Sequence, residues 1–279
     1  MNPTISVIIP CFNEEALIEC KIQNILGQDY EGRLDIIIVD GGSTDKTLDI
    51  VKYYIDCYWK EQGPKLDDRI LRLEKAPKGK THQVNEGIHR TIGEIIFVTD
   101  VDAVMEPGCI RTIVEEFSNP NVAVVGACSV PDKAVFLDPL CWRVSNFIRC
   151  LQSRICTAPW VIATCYAFRK NLLSEYPDDV IADDAYFPLW ANFKGYKTIY
   201  TDKTTVREVR NPTSWRQFFY HKHRKANALL REFTRFSYLM PYARPGWKVL
   251  FMTWFAFLIL VAGWSYPFFK QDSCYRKTV

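Results

Sequence analysis

The chain has 279 residues, 48% of them hydrophobic, and carries a net charge of only +3 from 35 basic and 32 acidic residues. A chain of this size can bury one large core or two small ones, and its balanced charge gives no reason to expect a nucleic-acid partner. Ten cysteines occur without a C-x-x-C pair, and most stand among apolar neighbours. We therefore expect reduced, structural thiols, as in a cytosolic domain.

Strand and helix patterns alternate through about the first 130 residues. The β-branched run at 5–9 predicts a buried strand ending at Pro10, and a helical apolar stripe follows up to Gly27, with Asn13 as its candidate N-cap. Further strands are predicted at 36–39, 70–73, 94–99 and 122–127, and further helices from about 43, at 81–90 and at 110–117. The alternation predicts an α/β fold, with a mostly parallel sheet and helices on both faces.

The second half of the chain has a different pattern. Apolar residues at helical spacing predict a long amphipathic helix at about 140–155. An extended stretch follows at 160–168, and a basic, aromatic helix is predicted from about Ser214 to Leu230. No internal repeat and no low-complexity linker divides this part of the chain.

The segment at 249–269 contains no charged residue and is long enough to cross a bilayer as a helix. We expect a main domain at 1–240 and a membrane-anchoring segment at 241–279 with one transmembrane helix. Seven Lys and Arg residues lie at 222–248, against three after the apolar run. This asymmetry favours a membrane protein whose main domain faces the cytoplasm.

Two acidic positions are predicted to meet at one edge of the sheet. Asp40 ends the second strand and Asp100 ends the fourth, and the carboxyl ends of parallel strands lie together. Each position taken alone is also explained as an ordinary polar turn. A dinucleotide site is disfavoured because no G-x-G-x-x-G sequence follows the first strand.

Several motifs occur in an order that resembles the family 2 glycosyltransferases with a GT-A fold. They are I-S-V-I-I-P-C-F-N-E-E, I-I-V-D-G-G-S-T-D, G-K-x-x-x-x-N-E-G-I, I-I-F-V-T-D-V-D-A, then A-F-R-K-N-L-L, I-A-D-D and H-x-x-R-K. The similarity extends over roughly four-fifths of the chain. It implies a GT-A-like, inverting enzyme that uses a nucleotide-diphospho-sugar donor.

The resemblance implies which residues bind the donor. They are Pro10, Asn13, Glu14, Asp40, Lys80, Asp100 and Arg224. Asp102 matches the metal ligand of the D-x-D motif, and Mg²⁺ or Mn²⁺ would suit a carboxylate and phosphate oxygens. Lys80 is explained nearly as well by an ordinary solvated lysine.

An acid pair in the I-A-D-D segment matches the family's Glu-Asp, whose second acid takes the proton of the acceptor. The resemblance therefore implies that Asp184 is the catalytic base, while Asp183 replaces the usual Glu and lies on the acceptor side. Neighbouring residues on a helix point about 100° apart, so the two acids are expected to have different tasks. An acidic helix N-terminus is the structural alternative.

His221, Arg224 and Lys225 lie at helical spacing, where polymer synthases of the family carry Q-x-x-R-W. The Arg is kept, but His221 and Lys225 replace Gln and Trp, which argues against processive polymer synthesis. His221 and Lys225 are assigned to the acceptor side. A basic helix lying on anionic lipid headgroups is the alternative.

The sequence thus predicts transfer of a sugar, most often from a UDP-sugar in this family, to a hydroxyl of a lipid or glycan acceptor. A nucleotidyltransferase on a similar sheet would need a Gly-rich basic loop after the first strand, where this chain is acidic. A membrane-anchored nucleotide-sugar-binding or scaffold protein without turnover is the other alternative. The four acids Asp40, Asp100, Asp102 and Asp184 argue against it.

Overall fold

The computed structural model describes residues 2–62, 69–133 and 138–269. It divides into two compact units, Met1–Asn211 and Pro212–Val279. The division comes earlier than the domain boundary predicted at residue 240, which stays a prediction.

The first half of the first unit is a run of parallel strands with connecting helices. Its strands are β1 (Ile5–Cys11), β2 (Leu34–Asp40), β3 (Arg69–Lys75) and β4 (Ile95–Thr99), and its helices are α1 (Ile18–Leu26), α2 (Thr47–Gln62) and α3 (Lys80–Arg90). These strands lie in the order β3-β2-β1-β4 and pair in parallel. β1 and β2 are buried along their whole length, as their continuous apolar runs predicted.

The second half of the first unit completes an eight-stranded mixed sheet. Its elements are β5 (Ala103–Met105), α4 (Cys109–Glu116), β6 (Val122–Pro131), α5 (Asp138–Ile155), β7 (Cys165–Arg169), α6 (Asp183–Phe193) and β8 (Lys197–Glu208). β6 and β8 run in the direction of β1 to β4, whereas β7 and β5 run against their neighbours. The mostly parallel sheet is therefore confirmed. The two antiparallel strands were not predicted.

The core lies on both faces of the sheet, because successive residues of a strand point to opposite sides. On β2, Ile36 and Ile38 belong to one buried cluster, and Ile37 and Val39 belong to the other. The helices cover both clusters, as predicted. The nine cysteines in the described residues are free thiols.

The second unit consists of α7 (Trp215–Phe236), a 3₁₀ turn (Ser237–Tyr242) and α8 (Pro245–Phe269). The hydroxyl of Ser214 caps α7 by accepting the backbone N–H of Gln217. Phe233 of α7 stacks on Phe251 of α8, with ring centroids 4.7 Å apart. The basic, aromatic helix is thus confirmed, and it extends beyond its predicted end.

Within the described part of the chain, no helix has both the length and the apolar character needed to cross a membrane. The transmembrane helix predicted at about 249–269 is therefore not supported. The side chains at 260–269 lie outside the description.

Candidate active site

The D-x-D sequence forms a turn between β4 and β5. The backbone N–H of Asp100 donates to the carbonyl of Thr164 over 3.3 Å, and the Thr99 hydroxyl donates to the same carbonyl over 2.8 Å. Thr164 directly precedes β7, so this antiparallel strand supports the turn from its side. The turn lies at the carboxyl edge of the parallel strands, where ligands of α/β sheets bind.

A buried lysine supports the same turn from below. Lys21 of α1 donates to the Thr99 hydroxyl over 2.7 Å and to the Ala103 carbonyl over 2.5 Å, one contact on each side of the D-x-D sequence. Burial lowers the pKa of Lys21 to about 8. The sequence held a signal for this residue, because Lys21 falls within the apolar stripe of α1, next to Ile18 and Ile22.

Asp102 is half-buried in this turn. Burial and the neighbouring Asp100 raise the pKa of its carboxyl, and the guanidinium of Arg210 lowers it in part. The described residues contain no group of three or more His, Cys, Asp or Glu that could hold a metal. A hard divalent cation such as Mg²⁺ commonly takes one or two carboxylates together with substrate phosphates. The pair of Asp100 and Asp102 therefore fits such an ion when a diphosphate supplies the other oxygens.

Glu14 lies in the loop after β1 and forms a bidentate ion pair with Arg210, which follows β8. Its two carboxylate oxygens accept from the Arg210 guanidinium over 3.1 and 2.6 Å. Asp102 lies within the electrostatic reach of both residues. The family resemblance assigns Glu14 to the donor, whereas Arg210, 196 positions away, lies outside the motifs of that resemblance and was not predicted.

Lys80 links the D-x-D turn to the acid pair of α6. Its ammonium lies 2.8 Å from the Asp100 carboxylate and 3.6 Å from that of Asp183. Burial alone would lower the pKa of Lys80, but the carboxylates of Asp100 and Asp183 outweigh it and raise that pKa above its usual range. Gly79 allows this start of α3, since its φ of 133° is one that side-chain-bearing residues rarely adopt.

Asp183 and Asp184 begin α6 and have different surroundings. Asp183 is buried and accepts the hydroxyl of Tyr166 over 2.6 Å. That hydroxyl lies 3.2 Å from the hydroxyl of Tyr176. Asp184 is half-buried, and its carboxylate accepts the backbone N–H of Ala163 over 3.1 Å. The two acids therefore have different contacts, and the different tasks expected of them stay a prediction.

Asp40 is buried at the end of β2 and serves the turn that follows. Its carboxylate accepts the backbone N–H groups of Gly42 and Ser43 at 2.9 and 3.1 Å. This is the ordinary turn role that the sequence also allowed. Contact of Asp40 with a donor stays a prediction.

The loop after β1 is tied to the loop after β2. The Asn13 side chain accepts the backbone N–H of Thr44 over 2.8 Å, and the Asn13 backbone N–H donates to Ser43 over 2.9 Å. The prediction that Asn13 caps α1 is wrong, because the helix begins only at Ile18, where no side chain caps it. Pro10 is buried within β1 and lies opposite Val39 of β2.

His221, Arg224 and Lys225 lie on α7, in the second unit. Burial and the neighbouring Lys225 and Arg224 lower the pKa of His221 to about 3, so its ring is neutral near pH 7. The first unit by itself brings together Glu14, Lys80, Asp100, Asp102, Asp183 and Asp184. The three α7 assignments stay predictions.

Comparison with known proteins agrees with this fold. The sequence model of Glycosyl transferase family 2 matches residues 6–176, more than half of the chain, and that of Glycosyl transferase family group 2 matches residues 95–270. An N-acetylglucosaminyltransferase of Azorhizobium caulinodans is 27% identical over 229 residues, which cover 75% of this chain and 55% of the relative. The chain spans about half the length of the curated relatives it matches.

Solved structures also resemble the chain, and two of them are compared with it. The mannosyltransferase PcManGT of Pyrobaculum calidifontis, solved with GDP-Man and Mn²⁺, gives a TM-score of 0.77 at 28% identity, over 96% of this chain and 73% of that one. S. aureus TarS, solved with UDP-GlcNAc, gives a TM-score of 0.61 at 16% identity, over 92% of this chain and 72% of that one, and bears on the fold alone. The fold is therefore GT-A-like, and the chain belongs to glycosyl transferase family 2.

Proposed function

We propose that this chain transfers a sugar, with inversion, from a nucleoside diphosphate sugar to an acceptor hydroxyl. The observation that carries the proposal is the linkage of two acid pairs by Lys80 at the carboxyl edge of the parallel strands. The pair of Asp100 and Asp102 has the composition suited to a cation and a diphosphate. The pair of Asp183 and Asp184 offers a carboxylate for proton transfer.

The donor is proposed to bind at the D-x-D turn. Asp102, with Asp100 beside it, would hold Mg²⁺ or Mn²⁺, and such an ion supplies charge neutralisation for a diphosphate leaving group. The neighbour solved with GDP-Man and Mn²⁺ supports this class of donor and ion. A UDP-sugar, expected from the family resemblance, and a GDP-sugar are both within the proposal. Binding of the nucleotide near Pro10, Asn13, Glu14 and Asp40 is part of it.

Asp184 is proposed as the general base. In this step the acceptor oxygen attacks the anomeric carbon, its proton passes to the Asp184 carboxylate, and the bond from that carbon to the diphosphate oxygen breaks. Asp183 is less suited to the task, because its carboxylate already accepts the Tyr166 hydroxyl and lies beside Lys80. The ammonium of Lys80 lies between the carboxylates of Asp100 and Asp183 and places one positive charge beside the proposed base.

The acceptor is proposed to be a hydroxyl of a lipid or glycan. His221 and Lys225 differ from the polymer-synthase pattern at this point, so we propose a single addition rather than processive synthesis. Location at the cytoplasmic face of a membrane belongs to the same proposal. The alternative, a binding or scaffold protein without turnover, would leave the paired acids without a catalytic task.

The test is to incubate the purified chain with Mn²⁺ and a panel of labelled UDP- and GDP-sugars, with lipid-linked and oligosaccharide acceptors. A labelled glycoside of inverted anomeric configuration is the expected product. Donor binding without any product across the panel would favour the non-enzymatic alternative. A product with retained configuration would contradict the direct displacement.

A further inference from the structure

The helix α5 exposes its apolar side to solvent. Five large apolar side chains at helical spacing are 42% to 76% exposed: Leu140, Val144, Phe147, Leu151 and Ile155. They follow one face of the helix over about 22 Å, at 1.5 Å for each residue. Contiguous apolar surface of this kind is uncommon on a soluble monomer and marks a surface that meets another phase or partner. We refer to these five residues as the α5 stripe.

The opposite side of α5 packs on the sheet, where polar contacts hold it in place. Asn146 donates to the Ser129 carbonyl over 2.7 Å and accepts the Tyr200 hydroxyl over 2.9 Å. The Ser153 hydroxyl accepts the backbone N–H of Tyr200 over 2.7 Å. The buried Arg149 stacks over the Tyr200 ring, 5.0 Å from its centroid. Because these contacts with β6 and β8 fix the rotation of the helix, the α5 stripe stays outside.

Charge indicates which partner would cover the α5 stripe. The sequence of α5 contains three arginines and one acidic residue, Asp138 at its first position, and one of the arginines, Arg149, is buried on the side of the sheet. Arg143 is exposed on the flank of the stripe, and Arg154 lies on the same flank, where it pairs with Asp202. An apolar face with basic residues at its border is the pattern of helices that lie in the headgroup region of anionic bilayers.

A shallow cavity of about 250 Å³ adjoins the α5 stripe, and its lining includes Phe147 and Leu151.

We propose that α5 docks the first unit on an anionic phospholipid bilayer, with the stripe in the acyl-headgroup boundary and Arg143 among the phosphates. This docking is a property of α5 itself. It neither needs the helix α8 nor rests on the proposed sugar transfer.

Site-specific photo-crosslinking in the full chain tests the contact directly. Phe147→p-azidophenylalanine is irradiated with vesicles of phosphatidylcholine that contain about one third phosphatidylglycerol. The matched control is Tyr53→p-azidophenylalanine, since Tyr53 is 64% exposed on α2 of the same unit. A phospholipid adduct at position 147 and none at position 53 is the expected result. A crosslinked dimer at position 147, or no adduct there, would overturn the proposal.

A second measurement asks whether the contact contributes to binding. The triple variant Phe147→Ser, Leu151→Ser and Ile155→Ser removes exposed side chains only, so circular dichroism and the melting temperature should stay unchanged. Its affinity for the same vesicles should fall by about tenfold or more, because each lost apolar contact weakens partition. Tyr53→Ser should bind as the unsubstituted chain does. If the triple variant and the unsubstituted chain bind the vesicles with equal affinity, the proposal is overturned. This holds also if another segment of the chain binds the vesicle.

Discussion

The D-x-D turn after β4 and the acid pair at the start of α6 are built alike, although they lie about eighty residues apart. Each contains two carboxylates, and in each the first one lies beside Lys80: Asp100 at 2.8 Å and Asp183 at 3.6 Å. In each the second acid is half-buried. One cation therefore lies beside the first acid in both regions, and the second acids, Asp102 and Asp184, are the ones proposed as the main metal ligand and as the general base.

The largest expected effect separates the two acids of α6. Asp184→Asn keeps the shape of the side chain but removes its proton affinity, so kcat should fall by roughly 10²–10⁴-fold. Asp183→Asn should lose less activity, because the Asp183 carboxylate is occupied by Tyr166 and Lys80. Kinetics of both variants at saturating donor measure the difference. If Asp183→Asn is the inactive variant and Asp184→Asn turns over normally, the base is Asp183.

Lys80→Met tests the link between the two regions. The substitution removes the cation beside the buried carboxylate of Asp183. The free energy of unfolding should therefore fall by about 2 kcal/mol, mostly because Asp183 loses its positive neighbour. Chemical denaturation measures this change. Lys75→Met is the matched control, since Lys75 is exposed at the end of β3. Equal stability of the two variants would contradict a structural role for the Lys80 bridge.

Arg210→Ala acts on the D-x-D side alone. Without its guanidinium, Asp102 loses a favourable charge and Glu14 loses its bidentate partner, so metal-dependent donor binding should weaken by about tenfold. Stability should change little, because the Arg210 side chain is 59% exposed. Arg207→Ala is the control, since Arg207 of β8 pairs with Asp132 instead. If donor binding weakens by the same factor in Arg210→Ala and Arg207→Ala, the effect comes from the loss of any positive charge and not from the Arg210 contacts.

The smallest expected effect concerns the second cation beneath the D-x-D turn. Lys21 has a pKa of about 8 when folded, against its ordinary 10.5 when unfolded. The unfolded chain therefore binds more protons between these values, and folding stability rises with pH across that interval. Between pH 7 and pH 9 the unsubstituted chain should gain about 1 kcal/mol relative to Lys21→Met. A stability difference that does not change with pH would contradict the buried, weakly basic ammonium.

The sequence predicted the parts of the fold that depend on local pattern. The apolar stripes of α4 and α5 were both recognised, yet Ile110 and Ile113 of α4 point into the core while Phe147 and Ile155 of α5 are exposed. Periodicity predicts that a helix forms, whereas the contacts across the chain decide which face packs.

The candidate site shows the same limit. The acids Asp40, Asp100 and Asp184 could be located from strand ends and motif order. Arg210 and Tyr166 could not, because their roles arise only when β8 and β7 bring them to the edge of the sheet. β7 pairs with β4 in the antiparallel direction, and no local sequence pattern predicts this pairing.

In the proposed reaction, Asp102 serves the binding of the donor and Asp184 serves the transfer of the sugar. Calorimetric titration of the nucleotide sugar accepted in the activity panel, with Mn²⁺ and then with excess EDTA, tests it most directly. We expect metal-dependent binding by the unsubstituted chain and by Asp184→Asn, and loss of binding in Asp102→Ala. Undiminished binding by Asp102→Ala, or binding that persists in EDTA, would contradict it.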